Sequence, residues 1–212
     1  MLIEPSEVVS LLKAHNITAK GVLHVGAHLC EEKNFYNQYL NLEDNKIVWV
    51  DANETLVQIN KSNGIPHCYA AVLDETERDV VFKITNNGQS SSILEFGTHK
   101  DSYPWIYVSE ERQVRTQTLS NFFKNTNLDP KNYNVWNFDI QGSELHVFRG
   151  SPELLQYADV IYTEVNTADV YKGCGQLQDL DMFLKQHGLE RVMTNMTDMS
   201  WGDAIYVRIS TY

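Results

Sequence analysis

The chain has 212 residues, of which 42% are hydrophobic and 11% aromatic, a composition that excludes a disordered protein and fits one packed domain. It carries 17 Lys and Arg residues against 28 Asp and Glu residues, and the formal net charge of −11 disfavours a nucleic-acid partner. Three cysteines without CxxC spacing disfavour a disulfide framework and a zinc knuckle. We therefore expect a reducing, cytoplasmic setting, and no secretory signal or long apolar stretch predicts membrane insertion.

Apolar periodicity and turn residues predict strands that alternate with helices. In chain order, the first half is predicted to contain an amphipathic helix from Pro5, a strand at Val22–Val25, a helix at Glu31–Leu42, a strand at Lys46–Ala52, a helix at Glu54–Ser62, and strands at His67–Val72 and Asp79–Thr85. The segment Thr85–Trp105 then loses all periodicity and is rich in Asn, Gly and Ser with embedded aromatic residues. Long loops of this kind are usually functional, so we expect residues 86–112 to contact the acceptor or the cofactor.

The second half continues the alternation. We predict a strand in 112–119, a helix near Ser120–Lys124, a strand at Asn134–Ile140, a helix in 143–155, a strand at Tyr157–Val165, a helix at Gln176–Gly188, and closing strands at Glu190–Thr197 and Asp203–Ile209. This pattern indicates an α/β fold with a mostly parallel seven-stranded sheet, helices on both faces and a C-terminal antiparallel hairpin. We expect one domain over 1–212, with residues 1–20 as a helical cover.

Polar and small residues follow several predicted strands, where ligands bind in open α/β sheets. "VGAH" follows the first strand and places Gly26 for close backbone approach, and "VDAN" follows the second and places Asp51 to accept hydrogen bonds from a ribose. The first turn lacks the GxGxxG pattern that seats a pyrophosphate, and Glu31 and Glu32 put negative charge there. These residues disfavour NAD, FAD and ATP and favour a nucleoside with positive charge, such as S-adenosylmethionine.

The arrangement resembles the class I S-adenosylmethionine-dependent methyltransferases with their Rossmann-like domain, and within them the FkbM-type family. The resemblance covers roughly Gly21 to Arg208, and its most specific part is "FDIQGSELHVFRG" at Phe138–Gly150. "HVGAHLCEE" is similar to the first motif of that family, and "SSSIL" and "TEVN" are further similarities. Cys30 stands where the family commonly has glycine, and Gln141 replaces a usual acidic residue.

The resemblance implies methyl transfer from S-adenosylmethionine to a hydroxyl group. It places Gly26 and Ala27 at the methionine part, Asp51 at the ribose, Ala71–Val72 at the adenine and Asp139 near the methyl group. The full set of expected cofactor-binding residues is His24, Gly26, Ala27, His28, Glu31, Asp51, Ala52, Asn53, Ala71, Val72, Ser91, Asp139, Ile140 and Gln141.

The residue types leave several roles open. The general base is Asp139, Glu164, His99 or His146, since histidine titrates near neutral pH. Alternatively, Asp139, Glu164 and Asn166 hold Mg²⁺ or Mn²⁺, which would acidify the acceptor hydroxyl.

For three further residues, a purely structural role is the alternative interpretation. Asp51 suits a helix cap, Glu144 suits the first turn of a helix, and His24 suits the core.

The leading hypothesis is an S-adenosylmethionine-dependent O-methyltransferase that acts on a hydroxyl of a sugar or glycan. The alternatives are a methyltransferase for a non-sugar small molecule and a catalytically silent nucleoside-binding or scaffold module of the same fold. An NAD-dependent oxidoreductase is disfavoured because the glycine fingerprint is missing.

Overall fold

The computed structural model describes residues 1–209, so only residues 210–212 of the predicted domain lie outside the described part. The strands are β1 (Val22–Val25), β2 (Ile47–Asp51), β3 (Cys68–Ala70), β4 (Asp79–Thr85), β5 (Val108–Arg115), β6 (Val135–Phe138), β7 (Val160–Asn166), β8 (Leu189–Met196) and β9 (Trp201–Arg208). The helices are α1 (Pro5–Ala14), α2 (Lys33–Gln38), α3 (Glu54–Ser62), α4 (His99–Ser102), α5 (Leu119–Thr126), α6 (Glu144–Gly150) and α7 (Leu177–Gln186). None of these helices is long and apolar enough to cross a membrane.

Seven strands form one sheet in the order β3-β2-β1-β6-β7-β9-β8, and β4 and β5 form a separate antiparallel pair. The pairs among β3, β2, β1, β6 and β7 are parallel, whereas β9 pairs antiparallel with both β7 and β8. The predicted mostly parallel sheet with a C-terminal antiparallel hairpin is confirmed. The chain moves outward from β1 to β3 on one side and returns to β6 on the other, so a switch point lies between β1 and β6.

The central strands are buried because helices cover both faces of the sheet. Every residue of β1, β2, β6 and β7 is buried, as expected for parallel strands with a layer on each side. Leu23 and Trp136 belong to one large apolar cluster and Val22 and Trp49 to a second. Helix α1 contributes Val8, Leu11 and Leu12 to the second cluster.

Two predicted helices are shorter than expected. The helix predicted at Glu31–Leu42 begins at Lys33, because the preceding turn contains Cys30 with a positive φ of 58°. The helix predicted in 143–155 ends at Gly150, and Pro152 begins a separate 3₁₀ turn. Proline has no N–H to continue the helical hydrogen bonds, which explains the break. The last five residues of the predicted loop at 86–112 belong to β5.

Candidate functional site

Two adjoining cavities lie at the carboxyl ends of the parallel strands. The larger has a volume of about 490 Å³ and the smaller about 70 Å³. The residues that line both are Gly26, His28, Gln89, Asp139 and Gln141. The cavities therefore meet at the switch point between β1 and β6, where an open α/β sheet binds ligands.

The turn after β1 brings three strands into close backbone contact. The amides of Gly26 and Ala27 both donate to the carbonyl oxygen of Val50, at 2.8 and 3.0 Å. Gly26 has a φ of 90°, and a Cβ atom there would lie 1.7 Å from the carbonyl oxygen of Asp139. Only glycine fits such a position. Ala27 is buried in the core and is not among the residues that line the cavities.

The carboxylate of Asp51 lies at the end of β2 and lines the smaller cavity. It accepts hydrogen bonds from the backbone N–H groups of His28 and Asn53, both at 2.7 Å. Burial raises the pKa of this carboxyl above its usual value. Asn53, predicted to bind the cofactor, is the cap of α3: its Oδ1 accepts from Thr55 N at 3.1 Å, and it is not among the residues that line the smaller cavity. Ala52, Ala71 and Val72 line the same cavity as Asp51.

Two histidines and an acid of the first motif line the larger cavity. His24 shares a hydrogen bond of 2.9 Å between its Nδ1 and the hydroxyl of Tyr36, and burial lowers the pKa of His24 to about 4. It is therefore neutral. His28 Nδ1 lies 2.6 Å from Glu31 Oε1. Burial acts to raise the pKa of Glu31, but the hydrogen bonds from His28 and backbone amides bring it below its usual value.

Gln141 joins the carboxylates of Asp139, which follows β6, and Glu164, which lies within β7. Its Nε2 donates to Asp139 Oδ1 and to Glu164 Oε2, both at 2.6 Å, and its Oε1 accepts from the hydroxyl of Tyr171 at 2.6 Å. The backbone of Gln141 has a φ of 58°. The side-chain amide thus uses both of its hydrogens on the two carboxylates.

Two of the three residues predicted to hold Mg²⁺ or Mn²⁺, Asp139 and Glu164, both accept a hydrogen bond from the side-chain amide of Gln141. Asn166 points its Nδ2 to Glu164 Oε1 at 3.4 Å, and Asn166 is not among the residues that line the cavities. Within residues 1–209, no group of three or more His, Cys, Asp and Glu side chains is arranged to hold a metal ion.

Glu144 fixes the loop that carries Gln141. Its Oε1 accepts from the backbone N–H groups of Ile140 at 2.8 Å and Gly142 at 3.3 Å, so this side chain stabilises the turn by hydrogen bonds to two of its backbone amides. Burial raises the pKa of Glu144 to about 7. Burial, followed by the charge of Asp139, also raises the pKa of Glu164 well above its usual value. Ile140 lines the smaller cavity.

The segment between β4 and β5 covers both cavities. Ser91 lines the smaller one, and its Oγ donates to the carbonyl oxygen of Gly88 at 2.7 Å. His99 lines the larger one, stacks on Phe96 with ring centroids 4.6 Å apart, and has no hydrogen-bond partner at Nδ1. Burial lowers the pKa of His99. His146, the other histidine considered as a base, lies 3.8 Å from Asp74 and is not among the lining residues.

Tyr162, Trp201 and Asp203 also line the larger cavity but were not predicted as site residues. Tyr162 lies two residues before Glu164 on β7, so both side chains point to the same face. Asp203 lies directly opposite Glu164 on β9. Strand alternation could have identified Tyr162, but the position of Asp203 depends on the pairing of two distant strands.

Comparison with known proteins assigns the family. A model of the methyltransferase FkbM domain matches residues 24–190. The chain belongs to the FkbM methyltransferase family. The crystal structure of methyltransferase FkbM from Methylobacillus flagellatus KT is similar with a TM-score of 0.51 and 10% identity, over 88% of this chain and 43% of that one.

A second solved structure is less similar. Magnesium protoporphyrin IX methyltransferase from Synechocystis PCC 6803 with bound SAM has a TM-score of 0.42 and 11% identity, over 97% of this chain and 78% of that one. No curated protein matches the sequence. At such identities the structural likenesses concern the fold.

Proposed function

We propose that this FkbM-family chain transfers a methyl group from S-adenosylmethionine to a hydroxyl of a sugar or glycan. The observation that carries the proposal is the meeting of two cavities at Asp139, one beside Asp51 and one open to an acceptor. In this assignment the smaller cavity binds the nucleoside: Asp51 accepts the ribose hydroxyls, and Ala71 and Val72 pack against the adenine.

The residues present suit such a cofactor. Gly26 allows a ligand to approach the backbone, and Asp51 supplies a buried carboxylate with unused lone pairs. The smaller cavity, at about 70 Å³, is well below the size of pockets that enclose ligands of this kind. Gly88, Gln89, Ser91, Ser92 and Ile93, which line it, must therefore move outward when the nucleoside binds.

The charge of the larger cavity also suits a sulfonium. Its acidic lining residues are Glu31, Glu32, Asp139, Glu164 and Asp203, against which the described lining has the N-terminal ammonium of Met1, 3.9 Å from Glu32 Oε1, and no Lys or Arg. S-adenosylmethionine would bring a sulfonium and an ammonium to this cavity. A pyrophosphate would be repelled there.

The chemistry requires few groups. The acceptor oxygen attacks the methyl carbon, the carbon–sulfur bond breaks, and a neutral thioether leaves. In this proposal the carboxylate of Asp139 is the general base that accepts the proton of the hydroxyl. Asp139 lines both cavities and so lies where the methyl group must pass. Gln141 orients that carboxylate through its hydrogen bond to Oδ1. Glu164 and His99 line only the larger cavity, on the acceptor side.

Part of the proposed acceptor surface belongs to the segment that follows β4, and part to β9. Tyr103 and Trp201 line the larger cavity, and the indole Nε1 of Trp201 donates to the Tyr103 hydroxyl at 3.0 Å. Aromatic faces beside polar groups are suited to a sugar ring, whose faces are apolar and whose edges carry hydroxyls. We therefore propose that residues 86–107 form the acceptor-binding segment.

Calorimetric titration with S-adenosylhomocysteine tests the cofactor. We expect binding to the native chain, much weaker binding to Asp51→Ala, and little change for Asp198→Asn, an exposed aspartate that serves as the charge control. Asp139→Asn should retain most of the affinity but lose methyl transfer. A chelator should leave binding unchanged, because Asp139 and Glu164 already accept hydrogen bonds from the Gln141 amide. No heat of binding for the native chain would overturn the proposal.

A further inference from the structure

Two buried cysteines connect the first turn of the site to an outer strand of the sheet. Cys30 lies in the turn between β1 and α2, and Cys68 is the first residue of β3. From their contact we infer that oxidation joins Cys30 and Cys68 in a reversible disulfide, which displaces the turn and weakens cofactor binding. The disulfide itself is independent of the proposed function, whereas its effect on the cofactor rests on that function.

The backbone brings the two thiols together, because the turn after β1 crosses β2 towards β3. The amide of Ala27 donates to the carbonyl oxygen of Val50 in β2, and Val50 pairs with Tyr69, the neighbour of Cys68, in β3. Cys30 and Cys68 are 4% and 2% exposed and belong to the same apolar cluster. Their side chains are in contact, with the Cys30 thiol donating a hydrogen bond to the sulfur of Cys68. Two thiols in this arrangement can be joined by a local movement of the backbone.

Cys30 has a backbone conformation that favours glycine. Its φ is 58°, and glycine is the common residue at this position of the first family motif. A side chain here costs backbone strain that glycine would avoid. Departures from a local rule are expected where the side chain has a function. We attribute the retained strain at Cys30 to its contact with Cys68.

Cys68 is the more reactive thiol of the pair. The hydrogen bond from Cys30 lowers the pKa of Cys68, and although burial acts in the opposite direction, a further hydrogen bond from Asn60 leaves that pKa below its usual value. The thiolate is the form that reacts with an oxidant. Cys68 also lines a surface groove of about 420 Å³ together with Lys61 and His67, which gives a small oxidant a route to the sulfur.

Hydrogen peroxide is an oxidant small enough for this route. The Cys68 thiolate attacks one peroxide oxygen, the O–O bond breaks and hydroxide leaves, so Cys68 becomes a sulfenic acid. Cys30 then attacks the Cys68 sulfur, the S–O bond breaks, and the hydroxyl leaves as water with the proton of Cys30. In total, two thiols and one hydrogen peroxide give one disulfide and two molecules of water. A thiol reductant reverses the change by exchange.

The disulfide would act on the cofactor side through the residues next to Cys30. The S–S bond is about 2 Å long, shorter than a hydrogen bond between thiols, so Cys30 must move towards β3. His28, two residues earlier, donates its N–H to Asp51 at 2.7 Å, and the carbonyl oxygen of His28 accepts from Asn60 Nδ2 at 2.7 Å. Movement of the turn disturbs both hydrogen bonds and the orientation of the Asp51 carboxylate. The oxidised protein therefore offers a poorer site for the ribose.

Thiol counting and peptide masses test the disulfide. After treatment with hydrogen peroxide and denaturation, the native chain should retain one reactive thiol of its three. Digestion with trypsin in the absence of reductant should yield peptides 21–33 and 62–78 joined by one disulfide. Three remaining thiols, or a product without this linked pair of peptides, would overturn the inference.

Calorimetric titration with S-adenosylhomocysteine measures the effect on the site. We expect the affinity of the native chain to fall by about tenfold or more after oxidation and to recover after treatment with dithiothreitol. Recovery separates the disulfide from methionine sulfoxide, which dithiothreitol does not reverse. Unchanged affinity in a sample that contains the linked peptides would overturn the effect on the cofactor. If the reduced chain does not bind at all, the proposed function fails with that effect, while the thiol count still decides the disulfide.

Three cysteine variants complete the test. Cys30→Gly removes one thiol and suits the φ of 58°, so it should keep the affinity of the reduced native chain and lose the response to peroxide. Cys68→Ser is the second variant if Cys30→Gly does not fold, as judged by thermal unfolding. Cys174→Ser removes the remaining buried cysteine and is the matched control, which should keep the full response. A reversible response that persists in Cys30→Gly and Cys68→Ser, or that is lost in Cys174→Ser, would contradict the pairing.

Discussion

Glu144→Gln is predicted to change the pH dependence of stability, because burial raises the pKa of Glu144 from 4.5 to about 7 in the folded protein. Between these two values the folded chain holds a proton that the unfolded chain has released, so the stability of the native protein falls as the pH rises through this range. A difference of roughly 2.5 pKa units corresponds to about 3 kcal/mol. Glutamine keeps an oxygen for the amides of Ile140 and Gly142 but does not titrate.

Urea unfolding of the native chain and of Glu144→Gln between about pH 4 and pH 8 measures this effect. We expect the variant to gain stability relative to the native chain as the pH rises, by up to about 3 kcal/mol. Glu111→Gln, on the exposed surface of β5, should show no such trend. A difference between Glu144→Gln and the native chain that is constant with pH would refute burial as the cause. A trend of opposite sign would show that the hydrogen bonds from the two backbone amides lower the pKa of Glu144 by more than burial raises it.

Three further substitutions address the turns around the site. Gly26→Ala should abolish S-adenosylhomocysteine binding and lower the melting temperature, because the new Cβ would overlap the carbonyl oxygen of Asp139; unchanged binding would contradict the geometry. Gln141→Ala removes the donor shared by Asp139 and Glu164, so the rate of methyl transfer should fall, and an unchanged rate would argue against an orienting role for Gln141. Asn53→Ala removes the cap of α3 and should cost about 1 kcal/mol in urea unfolding without reducing cofactor affinity.

The fold was predictable where local pattern and tertiary environment agree. Helix α3 has the predicted bounds, Glu54–Ser62, because an asparagine cap precedes it and Gly64 follows it. Strand β1 also has its predicted bounds, since four apolar or buried residues lie between two turns. In contrast, β4 was predicted as a strand, but its alternation does not specify a partner. Its pairing with β5 outside the main sheet depends on contacts across more than twenty residues.

The residues of the candidate site also fall into two groups: those that local sequence predicts and those whose role depends on tertiary contacts. Gly26, Asp51 and Asp139 were predictable because each follows a strand, and the topology of a parallel sheet brings such positions to one edge. Gln141 was recognised as a departure from the family pattern, but its role depends on a side chain that reaches from β6 to β7. Asp203 is separated from Glu164 by 39 residues of sequence, and only the register of β7 against β9 makes them neighbours. The smaller cavity is therefore lined largely by residues of local motifs, whereas part of the lining of the larger cavity is brought together by strand pairing.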